Sequence, residues 1–73
     1  MAKPYMRLRG LMAANGDTGA DIARELKLGQ TTLSHRMMGH EPWRVDEMYA
    51  LMDRYRMPHS ELHLVFPPEG RNE

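Results

Sequence analysis

Residues 16–39, GDTGADIARELKLGQTTLSHRMMG, decide the architecture of this chain. Ile22, Ala23 and Leu26 fall at i, i+1 and i+4, which is one apolar stripe of a helix, with Asp21, Arg24, Glu25 and Lys27 on its wet side. Thr18 stands where an N-cap belongs, and Asp21, three residues on, suits the positive end of the helix dipole. Leu28-Gly29 breaks the pattern. In the next segment only Leu33 and Met37 are apolar at i, i+4, so Gln30, Thr31, Ser34 and His35 project from the opposite face. Gly39 ends that segment, as glycine does when a helix closes with a positive φ. The stretch therefore predicts a helix, a tight turn, and a second short helix anchored by two side chains that exposes nearly everything else.

Outward from this unit the same periodicity predicts further helices. Leu8, Leu11 and Met12 mark a first helix over residues 5–15, stopped by Gly16 and weakened by Gly10. After a loop over residues 40–43, the stripe Val45, Met48, Leu51, Met52 and Tyr55 predicts a fourth helix over 45–56. Its first turn holds Asp46 and Glu47, and its last holds Arg54 and Arg56. Pro58 closes it, and one further turn is expected at residues 60–63. Leu64-Val65-Phe66 before Pro67-Pro68 reads as a brief extended segment. The expectation is one all-α, five-helix domain over residues 1–66 with a short C-terminal extended segment, and a disordered tail over 67–73. Trp43 is placed as a lid on the core, and Met12, Met37, Met48 and Met52 as part of it.

Composition excludes several function classes. Seventy-three residues bury only about 60% of their unfolded surface, leaving one modest core and no room for a deep catalytic cavity. Cysteine is absent, so there is no disulfide or thiolate zinc site, in keeping with a reducing compartment. No apolar run nears the roughly 20 residues that span a bilayer, and no leader-like segment opens the sequence. A cytoplasmic protein without membrane association is expected. There is no cysteine nucleophile, glycine-rich phosphate loop, or serine, histidine and carboxylate set, so the chain is expected not to be an enzyme and to need no cofactor or small-molecule substrate. His59 and His63 lie at i, i+4, but two histidines without a further ligand make a weak metal site and read as surface groups.

The formal charge is zero. Residues 1–44 nevertheless hold seven basic residues, Lys3, Arg7, Arg9, Arg24, Lys27, Arg36 and Arg44, against four acidic ones, whereas residues 45–73 hold three against six. The basic half is the half that carries the paired short helices.

With these residues in place, the chain resembles the lambda repressor and Cro-like family of helix-turn-helix proteins, in particular short phage and prophage regulators. The likeness covers about residues 6–66. RLRGLM at 7–12 looks like the family's first helix, residues 16–39 like its reading unit, and WRVDEMYALMDRYRMPHSELHLVF like its later helices and closing strand. Such a resemblance implies a sequence-specific regulator that binds double-stranded DNA, laying its third helix in the major groove. Base-facing positions fall on Gln30 and Thr31, with Ser34 and His35 further along the same face. Phosphate-facing positions fall on Thr18, Thr32 and Arg36, to which Lys3, Lys27 and Arg44 add charge. Glutamine matches adenine N6 and N7, and threonine the thymine methyl. A single such domain binds weakly, so a homodimer on a palindromic operator is expected, paired through Leu64, Val65 and Phe66 as an open edge.

Three positions depart from the family pattern. Gly19 stands where a phosphate-touching glutamine is usual. Lys27 replaces the glycine between the two helices, which implies either a different turn or an ordinary residue at positive φ. Met12 and Met37 replace a buried ion pair, and that double change suits the same packing. Gly19 and the neutral total also fit a second reading, a protein-interaction module on the same fold, such as an antirepressor or an inhibitor of a phage or host protein.

Overall fold

A computed structural model of the chain describes residues 3–71, with the backbone alone at position 69. The fold is all-α. Its helices are α1 (Met6–Ala14), α2 (Gly19–Leu26), α3 (Gln30–Met37), α4 (Val45–Arg54) and α5 (Leu62–Val65), with single 3-10 turns at His59–Glu61 and Pro68–Gly70. No strand occurs among the described residues.

The apolar stripes read from the sequence converge on one core. Leu8, Ile22, Leu51, Met52 and Val65 are fully buried, one or two from each helix except α3, and each contributes about 2 kcal/mol by leaving water. Helix α3 adds Leu33 and Met37, and Met12 lies in the same cluster as Met37, so the two methionines share one interior. Helices α2 and α3 pack together more extensively than any other pair, and α5 packs on both α1 and α4. Trp43 does cap the core, edge-on to Tyr5 and Phe66.

Local chemistry sets the ends of the paired helices. The Thr18 hydroxyl accepts the Asp21 N–H at 3.2 Å while the Asp21 carboxylate accepts the Thr18 N–H at 2.8 Å, a complete capping box. Lys27 closes α2 at φ 58, so the turn keeps its left-handed residue without glycine. Holding a side chain in that region costs about 1 kcal/mol, which the packing of α2 on α3 outweighs.

Three expectations are corrected. Leu64-Val65-Phe66 is not extended: Leu64 and Val65 belong to α5, and Val65 and Phe66 are buried, so these residues present no open edge for a second copy. Helical hydrogen bonding, with the Phe66 N–H on the Leu62 carbonyl, satisfies the backbone that a strand would have left free. Val45 is not on the inner stripe of α4 but is 60% exposed, and Glu47 is buried in its place. Helix α4 also ends at Arg54, two residues short of the fourth helix expected, with Arg56 at φ 55 beyond it.

Nor is the segment after Phe66 a loose tail as far as residue 71; positions 72 and 73 of the expected tail lie outside the described residues. Pro67 and Gly70 are buried, and the Gly70 carbonyl accepts the Tyr5 N–H at 3.0 Å, joining the two ends of the domain. Gly70 sits at φ +76, and a Cβ there would lie 2.8 Å from Pro4 Cβ and 2.9 Å from Tyr5 Cε2. Gly70→Ala is therefore expected to cost about 2 kcal/mol and lower the melting temperature by roughly 10 °C. An unchanged thermal melt would mean that the C-terminal turn is not docked in solution.

Candidate nucleic-acid interface

Helix α3 is held from within and left open without. Leu33 and Met37 anchor it, while Gln30, Thr31, Ser34 and His35 are exposed and Thr32 is half-buried. The four side chains read as base-facing thus share the outer face, where His35 lies 3.5 Å from Glu41.

The interior contact that sets the height of this helix was not legible as such. Arg36, expected to reach phosphate, turns inward and forms an ion pair with Glu47 of α4, the two side chains being 12% and 8% exposed. Glu47 also accepts the Arg44 N–H at 3.0 Å, satisfying a free donor at the start of α4. A guanidinium held this way has no charge to offer a phosphate. The signal available in the sequence was the spacing of Glu47, three residues after the N-cap position, which is where a glutamate folds back on a helix start.

The far end of α3 is tied down by Arg9. Its Nη2 donates to the Met37 carbonyl at 2.9 Å and its Nε to the Pro4 carbonyl at 2.8 Å. One guanidinium thereby satisfies an unpaired carbonyl at the negative end of α3 and moors the N-terminal segment that carries Lys3 beside it. The sequence marks Arg9 only as a positive charge.

Helix α2 is oriented by a second polar clamp. Arg54 at the end of α4 grips Asp17 with two bonds of 2.8 and 3.0 Å and reaches Glu25 at 2.7 Å, while the Tyr55 hydroxyl donates to Asp17 at 2.7 Å. The Arg54 bonds, then that of Tyr55, pull the Asp17 carboxyl down from an ordinary 3.8 to about 2. A carboxyl lowered by folding stabilises the fold above its unfolded value and loses that contribution as pH falls through its folded one. Wild-type stability is thus expected to decline between about pH 4 and pH 2, and Asp17→Asn to flatten that part of the profile, measured by urea unfolding across the range. Equal slopes for the two proteins would show that the clamp does not form.

The other expected phosphate contacts divide. Lys3 and Lys27 are exposed and meet no carboxylate among the described residues. Arg44 is exposed but shares its Nε with Asp46 at 3.3 Å. The Thr18 hydroxyl is engaged in the capping box. Around the outer face the acids are engaged too, Asp21 with Arg24 and Glu41 beside His35, while Glu47 is spent on Arg36 in the interior. The zero total therefore conceals a local excess, because internal pairing neutralises acids while Lys3, Arg7 and Lys27 remain open. His59 lies 2.7 Å from Asp53 and rests on the Tyr49 ring.

No helix among the described residues is long and apolar enough to cross a membrane. Comparison with family models, with curated proteins and with solved structures finds no match to this chain.

Proposed function

We propose that the chain is a sequence-specific, non-enzymatic DNA-binding regulator of the cytoplasm that reads the major groove with α3. The observation that carries this reading is the outward face Gln30, Thr31, Ser34 and His35 on a helix whose two apolar residues and C-terminal turn are fixed from inside. A short polar helix held rigidly clear of its domain is the geometry that direct readout requires. Gln30 reads adenine by a bidentate contact, Thr31 meets thymine, and Lys3, Lys27 and Arg44 hold the backbone. Pairing of two copies on a palindromic site supplies the affinity that one small domain lacks.

Selection from random duplex DNA, followed by fluorescence anisotropy on the winning sequence, tests the proposal. With Arg36 and Thr18 withdrawn from the contact set, log K is expected to fall with log salt at a slope of about −3 per protomer. A Gln30→Ala, Thr31→Ala double variant is expected to lose about 2 kcal/mol or more on the selected site while its helix content stays unchanged. Unaltered affinity would remove α3 from the reading role. Failure to enrich any sequence would instead favour the protein-interaction module.

A further inference from the structure

Behind the reading face, between the loop that follows α3 and the two chain ends, lies a cavity of about 330 Å3. Tyr5, Trp43, Phe66 and Pro42 line it, with His40 and Glu41 supplying polar groups. The three rings brace one another at centroid separations of 5.2, 6.1 and 6.2 Å, so the walls stand without an occupant. Glu41 is the one acid in the lining.

Aromatic walls with a single carboxylate are the chemistry that attracts an organic cation, through the negative faces of the rings and one counter-charge. The volume lies at the small end of ligand sites. We propose that this cavity binds a free, small organic cation of the alkylammonium class, held by Tyr5, Trp43 and Phe66 with Glu41 as counter-ion. The Glu41 carboxylate lies 3.5 Å from His35, and the His40 and Glu41 N–H groups both donate to the His35 carbonyl. A cation that takes over Glu41 therefore alters the setting of an outward residue of α3. Binding stands apart from the DNA reading; only its regulatory consequence rests on that reading.

Trp43 is the sole tryptophan, so one indole resonance in a 1H–15N spectrum of the full chain reports the site. Choline is titrated at pH 8 with sodium chloride lowered to hold ionic strength constant. The expected result is a saturable shift of the Trp43 indole and of the His40 and Glu41 amides. The neutral isostere 3,3-dimethylbutanol is expected to bind about tenfold more weakly. Glu41→Gln is expected to weaken choline several-fold with unchanged circular dichroism. Absence of a saturable shift into the tens of millimolar, equal binding of the isostere, or an unaffected Glu41→Gln protein would each overturn the proposal. Response to phosphatidylcholine vesicles without response to choline would also overturn it, moving the chemistry to a lipid surface. A choline response in a protein that enriches no DNA would leave this site standing and remove the regulator.

Discussion

Phe66→Asp is expected to abolish the folded state rather than to separate a dimer. Phe66 is 8% exposed, with the Trp43 ring centroid 5.2 Å away and that of Tyr5 at 6.2 Å. Deleting a buried phenylalanine costs about 3–5 kcal/mol, and a carboxylate left there without a partner adds several more. A domain of this size holds only about 5 kcal/mol in reserve, so the sum exceeds the total. Far-UV circular dichroism and Trp43 emission are expected to report an unfolded chain at neutral pH. A variant with native helix content that merely self-associates less would show that Phe66 faces outward, as the strand reading of residues 64–66 requires.

Glu47→Ala is expected to be the next most damaging change. It strands the Arg36 guanidinium in a site where its Nε already lacks a partner, and breaking one side of a buried ion pair costs about 3–5 kcal/mol. It also removes the acceptor for the Arg44 N–H. Replacing both partners by apolar residues, Arg36→Met with Glu47→Leu, is expected to recover most of the loss, because no charge is then left to bury. Urea unfolding of the two single variants and the double one closes the cycle. The folded double variant is further expected to keep its affinity for the selected duplex, since Arg36 has no charge to give. A loss below about 1 kcal/mol for Glu47→Ala would mean that the pair is solvated.

What was legible follows from where the information sits. Helices α1 to α4 lie where apolar spacing put them because each stripe belongs to a single segment and needs no knowledge of its neighbours. The Thr18–Asp21 box was half visible: the cap and its acid were read, the reciprocal bond was not. Val45 misled because it continued the period of α4 by one step, at a first turn where the core is no longer beneath the helix. The segment at residues 64–66 misled because the five consecutive apolar or proline residues at 64–68 carry no period. Its backbone follows α1 and α4, on which it packs.

Within the candidate interface the division is the same. Periodicity alone set Gln30, Thr31, Ser34 and His35 opposite Leu33 and Met37, and the fold leaves them there. The cations were a different matter, since an arginine side chain reaches across elements and its partner is a question of distance. Arg36 went inward to Glu47, Arg9 to the end of α3, and Arg54 to Asp17, each across at least eleven positions of chain.

The sequence by itself determined the helices, their inner faces, and the polar outer face of α3, because these are properties of neighbouring residues repeated at a fixed angle. Tertiary structure alone decided which charges remain available, how the chain ends close on each other, and where the aromatic cavity lies. Those features depend on side chains and backbone that meet only after the core has formed, and burial then sets whether a charge stays in water or takes a partner.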